Sequence, residues 1–115
     1  MNEQKVIIVE GKTDKERLLQ ILDEPVEIFC TYGTLSEEKI EEKILPLQNR
    51  EVYILVDADE AGNKLRNQLK RELPNARQLY TRMMYREVAS TPMDHLAKLL
   101  MDAHFLINQE YLTQK

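Results

Sequence analysis

Short apolar runs alternate along the chain with longer segments in which Leu and Ile recur at helical spacing. The runs, read as strands, lie at 6–9, 26–30, 52–56 and 76–81. The first is apolar at every position, as expected for a parallel strand that helices cover on both faces. This alternation is typical of βαβ units. It predicts an α/β fold, a three-layer sandwich on a mainly parallel four-stranded sheet.

Capping residues and prolines set the expected helix boundaries. Thr13 and Glu16 match a capping box, which predicts the start of the first helix. Ser36 is the predicted N-cap of the second helix, which Pro46 closes. The third helix is expected from about residue 60 to 73, and the last begins with a Thr-Pro pair at 91–92.

Apolar residues at helical spacing predict the faces that these helices turn to the core. They are Leu18, Leu19, Ile21 and Leu22 on the first helix, Ala61, Leu65, Leu69 and Leu73 on the third, and Leu96, Leu99 and Leu100 on the last. The last face is also a candidate surface for a homodimer. Residues 104–115 are expected to form a short helix or a loosely held tail.

Length and composition bound the class of protein. The chain has 115 residues, a length typical of one domain, so a single domain over 1–115 is expected. One cysteine, Cys30, excludes a disulfide framework and favours a reducing cytoplasm. The first apolar stretch, four residues long, is too short for a signal peptide or a membrane span. A net charge of −4 argues against bulk attraction to nucleic acid, so any contact with it must be local.

Polar loops follow three of the predicted strands. They are 10–12, 31–34 and 57–62, and the first and third begin with an acid. In an extended chain Asp57 and Asp59 project to the same side, where their carboxylates repel unless a cation lies between them. Magnesium suits such acids at a sheet edge, since it takes few carboxylates and completes its shell with water and phosphate oxygens.

A strand order of 2-1-3-4 would bring Glu10 beside this pair of acids. Each acid also has a simpler interpretation: Asp59 as a helix N-cap, Asp57 as a turn residue and Glu10 as a solvated carboxylate. The combination, with a glycine shortly after each acid, favours a metal site formed by Glu10, Asp57 and Asp59.

Two segments carry a family resemblance. The sequences Val9-Glu10-Gly11-Lys12-Thr13-Asp14 and Asp57-Ala58-Asp59-Glu60-Ala61-Gly62 resemble the two motifs of the Toprim domain. Together with the loop at 32–34, they are most similar to the Toprim part of the ribonuclease that matures 5S ribosomal RNA, and to small stand-alone bacterial Toprim proteins. The resemblance implies the Rossmann-like Toprim fold and phosphodiester chemistry.

The resemblance also implies roles for single residues. Glu10 is expected to act as a general acid or base and to touch the metal, and Asp57 and Asp59 are expected to bind Mg²⁺ and organise catalysis. Lys12 is a candidate for neutralising a phosphate oxygen, and Gly33 for lining the same edge. For both, a plain surface lysine and a turn glycine remain the alternatives.

Charge is distributed unevenly. Residues 60–86 contain seven Lys and Arg against two Glu, a local charge of +5 that leaves −9 for the rest. Lys64 with Arg71, and Arg66 with Lys70, are spaced to form a basic strip for a phosphate backbone, or simply a solvated helix face. No aromatic is interleaved on this helix, so base stacking is not expected.

These observations favour a magnesium-dependent Toprim nuclease. The expected substrate is RNA rather than DNA, and the protein is expected to act alone or with a protein partner that supplies the substrate grip that so short a chain lacks. The alternative is a non-catalytic Toprim-like module that binds nucleic acid or a protein and regulates it. A phospho-acceptor receiver domain is a third interpretation, but the paired acids expected after its first strand are absent.

Overall fold

The strands form one parallel sheet. The computed structural model describes residues 4–82 and 84–112. Within them the sheet has the order β2-β1-β3-β4, with β1 (Lys5–Val9), β2 (Val26–Cys30), β3 (Val52–Leu55) and β4 (Arg77–Leu79). The predicted order 2-1-3-4 is confirmed. The carboxyl ends of β1 and β3 therefore meet at one edge of the sheet.

Helices connect the strands. They are α1 (Lys12–Ile21), α2 (Glu37–Lys39), α3 (Glu60–Glu72) and α4 (Met93–Asp102). A π-helical turn (Ile40–Ile44) and a 3-10 turn (Leu45–Leu47) extend α2, and further 3-10 turns cover Val88–Ser90 and Gln109–Tyr111. Ser36 is the N-cap of α2, as predicted, because its hydroxyl accepts the Lys39 N–H at 3.1 Å.

Two apolar cores lie on opposite faces of the sheet. Ile7 of β1 belongs to the core that α1 and α4 cover, whereas its neighbour Ile8 belongs to the core that α3 and the π-helical and 3-10 turns after α2 cover. This division follows from the alternation of side chains along a strand. The predicted three-layer α/β sandwich is confirmed.

Three helix boundaries differ from the prediction. The capping box at Thr13 and Glu16 is wrong: α1 starts at Lys12 after Gly11, and the Asp14 carboxylate accepts the Gly11 N–H at 3.2 Å. Pro46 lies inside a 3-10 turn instead of closing a helix. Thr91 does not cap α4, which begins one residue later than expected, with Pro92 at the N-cap position.

Burial corrects parts of the predicted stripes. Leu19 is 49% exposed and Ala61 is exposed, so neither faces the core. Leu96 and Leu100 are fully buried in the core, which removes them from the candidate dimer surface.

The segment after α4 is not a loose tail over its described part. Phe105 and Ile107 are buried, and Ile107 forms an isolated antiparallel bridge with Leu22. Residues 113–115 of the predicted helix or tail lie outside the described residues.

Candidate functional site

The two acidic loops meet through one hydrogen bond. Glu10 follows β1 directly, and Asp57 comes two residues after the end of β3. The Glu10 Oε1 accepts the backbone N–H of Asp57 at 2.7 Å. The first acid therefore holds the backbone of the second, as expected from the neighbouring positions of their strands.

Backbone amides also bind the other two carboxylates. Asp57 Oδ1 accepts the Val88 N–H at 2.8 Å, which ties the acid to the connection between β4 and α4. Asp59 Oδ1 accepts the Gly62 N–H at 2.7 Å and caps α3, so its interpretation as an N-cap is confirmed. Each of these hydrogen bonds uses one of the two oxygens of the carboxylate and leaves the other oxygen outside the bond.

Negative charge is concentrated at this edge. Burial raises the pKa of Glu10; the Asp57 N–H opposes this shift, and the charges of Asp57, Asp59 and Asp14 add to it. Burial also raises the pKa of Asp14, against its hydrogen bond from Gly11. A cation bound here would relieve the repulsion between these carboxylates.

The donor set fits a hard divalent cation. Carboxylate oxygens are the ligands that Mg²⁺ takes, and it binds through one or two of them while water and phosphate oxygens fill its other positions. Within residues 4–82 and 84–112, no group of three Asp, Glu, His or Cys side chains is close enough to hold a metal ion. The arrangement therefore suits an ion shared with a substrate better than one enclosed by protein.

Gly62 brings α3 against the acid loop. A Cβ atom at this position would lie 1.9 Å from the Asp57 carbonyl oxygen and 3.1 Å from Asp59 Oδ1. No side chain fits there without moving the backbone of Asp57. The glycine therefore sets how closely the helix approaches both acids.

The predicted phosphate-binding residues lie around the edge. Lys12 is exposed in the first turn of α1, and Lys64 is exposed on α3. Gly33 has a φ of 110°, a left-handed conformation that favours glycine. Its loop approaches the first acid, since the Tyr32 N–H donates to the Glu10 carbonyl at 2.8 Å.

Arg66 corrects the predicted basic strip. It is 6% exposed and lies inside the protein, where Nη2 donates to the carbonyls of Val56 at 3.0 Å and Leu79 at 2.7 Å. Burial lowers its pKa, and the charges of Tyr80 and Glu10 oppose that shift. The guanidinium therefore joins the carboxyl ends of β3 and β4 and is unavailable to a phosphate.

Several supporting residues were not predicted from the sequence. Arg17 donates to the carbonyls of Val88 and Thr91 and so holds the segment that binds Asp57. The Ala58 N–H donates to the Arg86 carbonyl at 2.6 Å, a second link to the same segment. Hydrogen bonds to backbone groups cannot be predicted from the type of residue that accepts them. On the donor side, an arginine within α1 is a candidate that the sequence shows.

A comparison with protein families identifies the fold. The Toprim domain model matches residues 5–85. The chain belongs to the Toprim family. A solved Toprim structure, that of a small TOPRIM domain protein from Bacillus stearothermophilus, superposes with a TM-score of 0.92 at 47% identity and covers 100% of this chain and 98% of that one.

Two curated Toprim relatives differ in how much of them is shared. Uncharacterized protein YusF of Bacillus subtilis is 47% identical over 112 residues, which cover 97% of this chain and 77% of that protein. Ribonuclease M5 of Mycoplasma genitalium is 34% identical over 79 residues, 68% of this chain but 43% of the enzyme. This Toprim chain therefore spans less than half of the ribonuclease.

The Toprim family and the similarity to ribonuclease M5 support a function on nucleic acid. The structure also bears on the membrane: no helix in the described parts of the chain combines the length and apolar character that crossing a bilayer requires.

Proposed function

We propose that this Toprim protein cleaves or processes nucleic-acid phosphodiesters, preferably in RNA, with Mg²⁺ as its cofactor. The observation that carries the proposal is the hydrogen bond from the Asp57 N–H to the Glu10 carboxylate, at 2.7 Å, which joins the two acidic motifs in one site. The similarity to ribonuclease M5 supports RNA as the substrate. The free thiol of Cys30 is compatible with work in a reducing cytoplasm.

Glu10 is the proposed general acid or base. Its raised pKa brings the protonated form closer to neutral pH than in an ordinary glutamate, so the carboxyl can give a proton to a leaving oxygen or take one from water. The Asp57 N–H holds one of its oxygens, which leaves the other for this transfer.

Asp57 and Asp59 are the proposed magnesium ligands, and Glu10 belongs to the same proposed metal site, which a substrate phosphate would complete because the three described carboxylates do not by themselves enclose an ion. Each aspartate has one oxygen bound to a backbone amide, so its orientation is fixed while the second oxygen remains for the metal. Bound Mg²⁺ would neutralise charge on the phosphate and orient the reacting oxygens. Lys12, Gly33 and Lys64 are proposed to contact the phosphate backbone.

The test compares cleavage of labelled structured RNA and of single-stranded DNA, with Mg²⁺ or with EDTA. We expect cleavage of RNA with Mg²⁺ alone, a loss of about 10²- to 10⁴-fold in Glu10→Gln, and a comparable loss in Asp57→Asn. Asp23→Asn changes an exposed acid outside the site and serves as the control. Equal cleavage by Asp57→Asn and the parent, or none by either, would contradict the catalytic proposal.

A non-catalytic module is the second candidate. It is favoured by the structural use of all three carboxylates as acceptors of backbone amides. This alternative predicts nucleic-acid or protein binding that neither EDTA nor neutralisation of the three acids changes.

The nuclease proposal includes a partner that supplies substrate grip, since the chain spans 43% of ribonuclease M5.

A further inference from the structure

Tyr80 forms an exposed aromatic surface at the end of β4. The residue is 62% exposed, although its ring is large and apolar. The Arg66 guanidinium lies over the ring, with Cζ 4.2 Å from the ring centroid. Because Arg66 is itself bound to the carbonyls of Val56 and Leu79, the ring rests on a fixed support.

A polar groove adjoins this ring, between α3 and the edge strand β4. Its volume is about 240 Å³, and it is lined by Asn63, Arg66, Asn67, Lys70, Gln78 and Tyr80. These residues include two cations, three amides and an aromatic ring, and none is an acid. Arg66 Nε and Gln78 Nε2 are buried N–H groups without a hydrogen-bond partner in the described residues, so they lie behind the groove wall, and the donors that a strand can reach are the exposed side chains of Asn63, Asn67 and Lys70.

We propose that this groove binds an unpaired nucleotide of a nucleic-acid strand. The base stacks on Tyr80, Lys70 pairs with a phosphate, and Asn63 and Asn67 bond to the sugar or to base edges. The inference rests on the proposed function in one respect: that function is the reason why a nucleic-acid strand would come to this part of the protein. It replaces the expectation that base stacking has no support, because Tyr80 follows β4 directly and lies beside α3, a juxtaposition that helical spacing does not reveal.

The groove lies close to the acidic site. Leu55 pairs with Leu79 in the sheet, so the next residues, Val56 and Tyr80, leave adjacent strands at the same edge. Neighbouring strands are about 4.8 Å apart, and Asp57 follows Val56 directly. One strand of nucleic acid can therefore place a phosphate at the acids and a neighbouring base on Tyr80.

A second groove on the other side of Tyr80 is a weaker candidate. It also has a volume of about 240 Å³ and lies against α4. Its cation Lys98 is 3.6 Å from Asp102, and His95 is 4.0 Å from Asp94, so its charge is internally compensated. The α3–β4 groove lacks such compensation among its lining residues and is the better site for a phosphate.

Tyrosine replacement provides a local spectroscopic test, because the chain contains no tryptophan. Tyr80→Trp introduces a single indole at the stacking position, and Leu106→Trp introduces one at a residue that is 65% exposed elsewhere. With single-stranded RNA or DNA in EDTA, we expect quenching of the indole fluorescence in Tyr80→Trp and no change in Leu106→Trp. Absence of quenching in both, or equal quenching in both, would overturn the proposal.

Affinity then separates stacking from charge. Tyr80→Ala should weaken binding of single strands roughly 5- to 100-fold, whereas Tyr80→Phe keeps the affinity. Lys70→Gln should reduce the slope of log affinity against log salt by about 0.7, the contribution of one phosphate contact, and exposed Lys43→Gln should not. Thermal unfolding of each variant checks that it is folded.

A comparison of different nucleic acids completes the binding experiment. RNA and DNA single strands of equal sequence reveal whether the 2′-hydroxyl contributes, and a duplex should show no dependence on Tyr80, since its bases already stack. Binding unaffected by Tyr80→Ala, or equally affected for duplex and single strand, would contradict the groove. Because these measurements are made in EDTA, they stand or fall independently of cleavage.

Discussion

The loops after β1 and β3 use the same two residue types in opposite order. In the first, Gly11 precedes Asp14 by three residues, and the Asp14 carboxylate accepts the Gly11 N–H at 3.2 Å. In the second, Asp59 precedes Gly62 by three residues and accepts the Gly62 N–H at 2.7 Å. Each pair fixes the start of a helix beside the acid that follows the strand.

The two loops differ in how much space the glycine has. A Cβ at Gly11 would meet Asp14 Oδ2 at 3.8 Å, an ordinary contact, whereas one at Gly62 would meet the Asp57 carbonyl oxygen at 1.9 Å. Both loops are therefore held by a side-chain hydrogen bond, and the second is held in addition by direct contact between backbones. The loop that carries two of the proposed metal ligands is the one with less freedom to adjust.

Gly62→Ala is the largest test of this difference. The added methyl group must displace the backbone at Asp57, so we expect a loss of about 3 kcal/mol or more in the free energy of unfolding, at or above the usual cost of overpacking. The displaced acids should also abolish any response to Mg²⁺. Urea unfolding followed by circular dichroism measures the first effect.

Gly11→Ala is the matched control. With φ at −139° and room for a methyl group, it should cost about 1 kcal/mol or less, the range of N-cap replacements. Equal losses in Gly11→Ala and Gly62→Ala would show that close backbone contact does not distinguish the loops.

Most of the fold was predictable because two of its strands, β1 and β3, are almost entirely apolar. β2 has the predicted bounds, 26–30, and the order of the strands followed from the requirement that the acids meet. The sequence predicts the wrong start for α1 because Thr13 and Glu16 satisfy the pattern of a capping box. In the protein Asp14 competes successfully, since its carboxylate reaches the N–H of Gly11.

The site was predictable to the extent that it lies at strand ends. The meeting of Glu10 and Asp57 follows from topology, but the amide that binds the Asp57 carboxylate belongs to Val88, in a distant segment that only the folded chain brings near. The charge of Arg66 predicts a place on the surface. Its spacing, three residues before Leu69 and seven before Leu73, is the signal in the sequence that indicates the buried face of α3, where the structure places it.

Binding of Mg²⁺ should distinguish the two loops through a smaller effect on the stability of the protein. Titration of the parent should raise the midpoint of thermal unfolding, since a ligand that binds only the folded state adds about 2.7 kcal/mol at one hundred times its dissociation constant. Asp57→Asn removes a proposed ligand and should lose this response, whereas Asp14→Asn should keep it. Calorimetry at fixed ionic strength, with Ca²⁺ as a second ion, provides the measurement; a full response in Asp57→Asn would refute its assignment as a ligand.

The smallest expected effect is a pH dependence in the first loop. Burial raises the pKa of Asp14 above its unfolded value, so the folded state holds a proton more tightly than the unfolded state. The stability that this carboxyl contributes is therefore present below the unfolded pKa and is lost as pH rises through the folded pKa. Asp14→Asn keeps an acceptor for the Gly11 N–H but cannot ionise.

The free energy of unfolding of Asp14→Asn, minus that of the parent, should increase with pH across this window and then level off. Urea unfolding in EDTA at a series of pH values measures the difference, and Asp23→Asn, which alters an exposed carboxylate, should give a flat profile. A flat profile for Asp14→Asn as well would mean that the first loop leaves Asp14 hydrated. The roomier loop would then be open to water as well as free of backbone contact.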